Sequence, residues 1–185
     1  MKIKSSELLQ ELQTETAKIK QIAQNFQKLP PASLNYKHTP ESWSALECLQ
    51  HLNLYGEYYL PAIENALKNA KSQSIEMFQS GWLGNYFANS MLPKENMMKM
   101  QSPKDKNPAG SALDKSVIGE FLAQQEKMLQ LLQTAQKYNL NKIRIPITLS
   151  KWIRLKLGDT FRFNIYHNMR HLAQAQRALA QASQA

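Results

Sequence analysis

The sequence predicts an all-α protein built as a bundle of four principal helices. Three observations carry this: apolar residues recur at helical spacing in four long segments, almost nothing shows the alternation of a strand, and 185 residues suit one domain with an adequate core of its own. A single domain over 1–185 is therefore expected, with any metal serving function rather than holding the fold.

Leu8, Leu12, Ile19, Ile22, Ala23 and Phe26 share one face of a first helix, running from about 5 to 28. Ser5 or Ser6 is its expected cap, and Pro30 with Pro31 stops it. Leu29 to Trp43 holds Pro30, Pro31 and Pro40 and reads as a loop. Ser44 followed three residues later by Glu47 is a capping box. It opens a second helix whose broad apolar side carries Cys48, Leu49, Leu52, Tyr55, Tyr59, Ile63 and Leu67, with Pro61 predicting a kink or local break.

An irregular insertion is expected at about 71–113, with Pro93, Pro103, Pro108 and a run at Met97, Met98 and Met100. Within it Trp82, Leu83, Tyr86, Phe87 and Met91 fit a short helix that either covers a pocket or closes one end of the core. Asp114 caps a third helix to about Lys137, carrying Val117, Ile118, Phe121, Leu122, Met128, Leu129 and Leu132. Ile143 to Ile147 reads as an extended connector too short to found a sheet, and Lys151 to Leu157 as a short helical turn. Gly158 then breaks that turn, and Asp159 or Thr160 caps a final helix to about Ala180.

A net charge of +9 invites a nucleic-acid or acidic-lipid partner. The cations are spread from Lys2 to Arg177 without a dense run or a recognition motif, so neither nucleic acid nor membrane is expected as a partner. The N-terminal residues lack the apolar stretch of a signal peptide, no segment has the apolar length to span a bilayer, and the cytoplasm is the expected location. Cys48, the single cysteine, excludes an intrachain disulfide and zinc sites built on several thiolates, and reads as a small buried hydrophobe.

His167 and His171 stand one helical turn apart and can address one ion. His51 on the second helix offers a third imidazole, which would leave a coordination position open. On a helical wheel His167 and His171 lie at one margin of the apolar side, opposite an arc of Arg162, Arg170 and Arg177 taken as the solvent side. His51 lies at the corresponding margin of its own helix. Two hydrogen-bonded packing histidines produce the same spacing, so spacing alone leaves both meanings open. His38, in the proline-bearing loop, is a further ligand candidate. Glu47 fits either the cap alone or a general base; Tyr55 or Tyr58 can orient substrate or donate a proton; Asn164 and Gln174 are candidate pocket donors.

Two motifs, Trp43-Ser44-x-x-Glu47-x-x-x-His51-Leu52 and His167-x-x-Arg170-His171-x-x-Gln174, together resemble those of the DinB-like or YfiT-like proteins of bacteria. The resemblance covers nearly the whole chain, least well at 71–113. It implies an up-down-down-up four-helix bundle and a divalent metal, zinc or nickel, held by His51, His167 and His171. It also implies a small-molecule substrate, a homodimer, and one of two activities: a metal-dependent hydrolase, or an S-transferase using a low-molecular-weight thiol such as bacillithiol. A non-catalytic metal-binding or stress-response interaction protein is the alternative. Arg170 belongs to the pattern and reads as structural, or as a contact to an anionic substrate if a loop covers its face.

Overall fold

The structure is a computed structural model that describes residues 1–93 and 101–184. In chain order its elements are β1 (Lys2–Lys4), α1 (Ser5–Phe26), α2 (Pro31–Asn35), α3 (Ala45–Lys68), β2 (Met77–Gln79), α4 (Trp82–Met91), α5 (Ser116–Ala135), β3 (Arg144–Ile147), β4 (Ser150–Lys156) and α6 (Leu157–Ala182). The all-α expectation holds: α1, α3, α5 and α6 are the four long helices, and the strands form two small two-stranded sheets.

The apolar stripes meet in one core. Leu8, Leu12 and Ile19 of α1, Leu49 and Ile63 of α3, Phe121 and Leu132 of α5, and Phe161, Ile165 and Leu172 of α6 are all buried. Each contributes about 1.5–3 kcal/mol of transfer free energy. Both α1 and α3 pack on α5 and α6. The β1–β2 pairing sets the start of α1 beside the segment that follows α3. Lys115 at the start of α5 donates to the Gln27 carbonyl just past α1, and a bridge between Gln73 and Tyr138 joins the chain after α3 to the chain after α5. The Leu157 N–H donates to the Ile143 carbonyl, so α6 begins near where α5 ends.

Several local expectations need correction. Neither Ser5 nor Ser6 caps α1; Lys4 occupies that position without a side-chain bond, and the Ser5 N–H donates instead to the Glu76 carbonyl at 2.7 Å. A strand pair thus satisfies a group that a hydroxyl would otherwise serve. The loop after α1 contains the short α2. Ser44 and Glu47 form the capping box, and α3 runs through Pro61 without a break. Pro61 and Glu57, whose carbonyl loses its helical donor, both face solvent, where water takes the donor's place. Asp114 serves α5 from one residue outside the cap position, accepting from the Ser116 N–H at 2.8 Å.

The segment expected to be an irregular insertion carries β2, α4 and a 3₁₀ turn at Lys104–Lys106; Met97, Met98 and Met100 lie outside the described residues. Helix α4 exists as expected, but it turns Gly84, Ala88 and Met91 inward and leaves Trp82 and Tyr86 in solvent. Those two aromatics therefore neither cover a pocket nor close the core. Because α4 packs along α6, the supposed wet arc of α6 is partly buried. Arg162 pairs with Asp159 at 3.2 Å with both side chains almost wholly enclosed, and it donates to Ser80, Asn85 and Asn89 of the packed segment.

The largest departure is the stretch read as a connector and a helical turn. It is a hairpin, β3 pairing antiparallel with β4 with Ile145 opposite Leu155. Ile145, Ile147 and Leu155 are buried while Arg144 and Arg154 face out, a period of two that overrides the helical appearance of a short apolar run. Gly158 does not end a helical segment; it lies inside the first turn of α6, where a Cβ would meet the Phe78 ring at 2.5 Å. Asp159 and Thr160 likewise do not cap α6. Asp159 instead accepts from the Ser80 hydroxyl and from the Gly81 N–H at 2.8 Å, fixing the entry to α4. No described helix is long and apolar enough to cross a membrane.

Candidate metal centre

Helix period brings the imidazoles together. His51 projects from α3, and His167 and His171 project from successive turns of α6; the two helices pack directly on each other. His51 and His167 are buried and His171 is half-buried. One ligand nitrogen from each lies within 4.8 Å of the others, and among the described residues this is the group able to hold an ion. Ring centroids lie 5.0 Å apart for His51 and His167, 4.6 Å for His51 and His171, and 4.7 Å for His167 and His171.

Two of the rings are fixed by bonds to their outer nitrogens. His51 Nδ1 donates to the Lys106 carbonyl at 2.6 Å, with the Ser102 hydroxyl 3.4 Å away. His171 Nδ1 donates to Gln174 Oε1 at 3.0 Å. Each bond places the proton on Nδ1 and leaves Nε2 as a bare lone pair, the arrangement that orients a metal-ligating imidazole. His51 Nε2 faces His167 Nε2 at 3.2 Å. Two ligands about 2.0–2.1 Å from a tetrahedral ion stand about 3.3 Å apart, so this pair already has the spacing that a shared cation imposes. The donor set therefore fits a divalent cation.

Electrostatics agree with that chemistry. Burial lowers the pKa of His51, an effect the bond to Lys106 opposes and the Lys106 charge reinforces. Burial, then His171, His51 and Arg170, push His167 well below the usual histidine range. His171 falls to about 3, chiefly through burial and then through His51, although Gln174 pulls the other way. All three rings are neutral near pH 7, the state in which imidazole ligates.

The walls are aromatic. Trp43 lies 4.8 Å from His51 and 5.7 Å from His171, ring centre to ring centre, and Tyr55 lies 5.0 Å from His51 and 4.6 Å from His167. Burial raises the Tyr55 pKa, an effect that Thr148 opposes. A strap from Ser102 to Gly110 crosses the α3 side: the Lys106 carbonyl holds His51, and the Gly110 N–H donates to Glu47 Oε1 at 2.9 Å.

The other sequence candidates are placed elsewhere. The Glu47 carboxylate accepts from the Ser44 N–H, from Gly110 and from Lys37, so its lone pairs serve the cap and the strap. The Tyr58 hydroxyl donates to the Ile147 carbonyl at 3.4 Å, toward the hairpin. Asn164 donates to the Thr160 carbonyl within its own helix. Arg170 donates to the Ser90 carbonyl near the end of α4. His38 is not part of the three-histidine group. Cys48 is buried, and enclosure drives its thiol pKa far up, as expected of a packing residue. Of the two candidate pocket donors, Asn164 and Gln174, Gln174 meets a histidine, and it does so as an acceptor. Sequence reasoning missed Trp43 as a wall, although it stands in the first motif, and missed the strap, whose contribution to His51 is a backbone carbonyl with no residue signature.

Comparison with known families supplies one match: the DinB superfamily, over residues 11–175. That span contains all three histidines, the whole of α3, and α6 as far as Ala175. No curated protein and no solved structure matches the chain.

Proposed function

The chain belongs to the DinB superfamily, and from that membership and the geometry of its histidines we propose that it is a metal-dependent enzyme acting on a small molecule. His51, His167 and His171 hold one divalent cation, zinc or nickel, with a coordination position left for water or for a low-molecular-weight thiol such as bacillithiol. The carrying observation is the 3.2 Å approach of His51 Nε2 and His167 Nε2 while His51 Nδ1 is engaged by the Lys106 carbonyl. Bound there, the cation would lower the pKa of water or thiol toward neutrality and so supply a nucleophile for hydrolysis or S-transfer.

The protein's own part is positional. Gln174 and the Lys106 carbonyl hold two rings in the ligating tautomer. Trp43 and Tyr55 wall the site with apolar surface that excludes bulk water and strengthens charge interactions within it. A single domain, a cytoplasmic location and homodimeric assembly belong to the same proposal, the last of them on the strength of the family resemblance.

One observation favours the non-catalytic alternative. Glu47 is fully engaged by its cap and the strap, and no carboxylate among the described residues joins the histidine group. The test is metal content by mass spectrometry on protein purified without a metal-affinity tag, repeated with His51→Ala, His167→Ala and His171→Ala. About one zinc or nickel per chain, lost in each variant, is expected. No metal after reconstitution would overturn the proposal. Cobalt-loaded protein then separates the readings: a visible spectrum that changes on adding thiol supports the enzyme, and one that stays fixed at high thiol supports the inert site.

A further inference from the structure

Large apolar side chains stand in solvent on two adjoining elements. Trp152 is 95 % exposed, Leu149 67 % and Ile153 38 % on the β3–β4 hairpin, while Trp82 is 85 % exposed and Tyr86 63 % on α4. The two elements touch: α4 contacts β4, and Lys156 of β4 donates to the Gln79 carbonyl just before α4. Trp82 and Tyr86 are four residues apart and share a face. Exposed aromatic and aliphatic groups gathered in this way mark an interaction surface.

Charge selects the partner. From Lys137 to Leu157 the sequence holds Lys137, Lys142, Arg144, Lys151, Arg154 and Lys156 and no acidic residue. Arg144 and Arg154 are exposed, and among the described residues neither enters an ion pair. A second copy of the chain, meeting this face across a two-fold axis, would set these cations against themselves. A nucleic acid would meet the charge, but Leu149 in the turn and Ile153 have no ring on which a base can stack. An anionic membrane satisfies both features: aliphatic groups enter the acyl boundary, tryptophan and tyrosine sit at headgroup level, and arginines meet phosphate.

We propose that the β3–β4 hairpin and the outer face of α4 dock on the surface of an anionic phospholipid bilayer. This departs from the sequence expectation of no membrane partner, which rested on the absence of a dense run of cations; the hairpin concentrates them by bringing Arg144 opposite Lys156 and Pro146 opposite Arg154. The inference stands independently of the metal, because none of these residues touches the histidines.

The test is co-sedimentation of the full chain with vesicles of phosphatidylcholine alone and of equal parts phosphatidylcholine and phosphatidylglycerol, with tryptophan emission recorded at low and high salt. Binding is expected to the anionic vesicles only, with a blue shift of emission and weakening by salt. Leu149→Ser with Trp152→Ser should lower partitioning at least tenfold. Arg144→Gln and Arg154→Gln should each lower it roughly fivefold. Since all four positions are exposed, circular dichroism should stay unchanged. No sedimentation with anionic vesicles, equal binding to neutral ones, or variants that bind like the parent would overturn the proposal. So would self-association, or retention of a single-stranded oligonucleotide, that depends on Trp152 while vesicles are ignored.

Discussion

Gln174 offers the sharpest test of whether the site is built for a cation. It lies one turn beyond His171 on α6, and its Oε1 accepts the His171 Nδ1–H at 3.0 Å. Gln174→Leu removes that acceptor and keeps a side chain of similar reach on a half-buried position. The ring then loses the bond that fixes its tautomer and orientation, and Nε2 loses basicity. Partners of this kind change metal affinity by about 10–100-fold, equivalent to about 1.4–2.7 kcal/mol of binding free energy. The packing of the core is untouched, so metal-free stability should fall only by the worth of one side-chain hydrogen bond, about 0.5–1.5 kcal/mol.

The assay is competitive titration of zinc against a chromophoric chelator, with urea unfolding of the metal-free protein in parallel. Gln174→Glu should bind zinc at least as tightly as the parent, since a carboxylate is the stronger acceptor. Weakened binding in Gln174→Leu, restored in Gln174→Glu and accompanied by no more than that small loss of metal-free stability, is the expected pattern. Equal affinity in all three proteins would refute the reasoning: His171 would then ligate without its partner, or not ligate at all.

Two further predictions concern the scaffold. Metal-free protein should lose stability as pH falls from about 6.5 toward 3. Histidines with lowered folded pKa values bind fewer protons folded than unfolded, so acid favours the unfolded chain, by up to about 1.4 kcal/mol per ring per pH unit; urea midpoints in chelator at pH 7.5, 6 and 5 that do not move would contradict this. Arg162→Ala should destabilise the fold by about 3–5 kcal/mol by leaving the Asp159 carboxylate enclosed without its cation, and thermal unfolding that shows a cost below about 1 kcal/mol would refute that account.

The long helices were legible because their information is local. Ser44 and Glu47 write a cap three residues apart, and Leu49, Leu52, Ile63 and Leu67 write a stripe; neither needs knowledge of the rest of the chain. The histidines were legible for the same reason, since a spacing of four on α6 needs only helical geometry to align two rings. What failed was whatever depended on a distant partner. Arg162 looked wet because nothing near it in sequence announces that α4 will cover it. Asp159 looked like a cap because its true donors, Ser80 and Gly81, come from the segment read as irregular. Gly158 looked like a breaker, whereas the Phe78 ring requires the missing Cβ.

The same distinction separates the site into two layers with different origins. The ligand nitrogens come from α3 and α6, the two helices a sequence can describe. The groups that fix their orientation and surroundings come largely from segments it cannot: the Lys106 carbonyl from the strap, and Thr148 from the turn of the hairpin. Thr148 lowers the Tyr55 pKa against burial and donates its N–H to the Tyr59 hydroxyl at 3.3 Å, while Ile147 accepts from Tyr58. The hairpin tip is thus bonded to the aromatic row that flanks His167, and Leu149 stands next to it in solvent. Within one scaffold of four helices, exchanging the strap or the hairpin would change the surroundings and access of the histidines without moving α3 or α6. On the proposed function, these two segments set which small molecules reach the site, and a chimaera that replaces the turn at Thr148 and Leu149 while keeping all three histidines is expected to bind metal like the parent and to differ from it in the small molecules it admits.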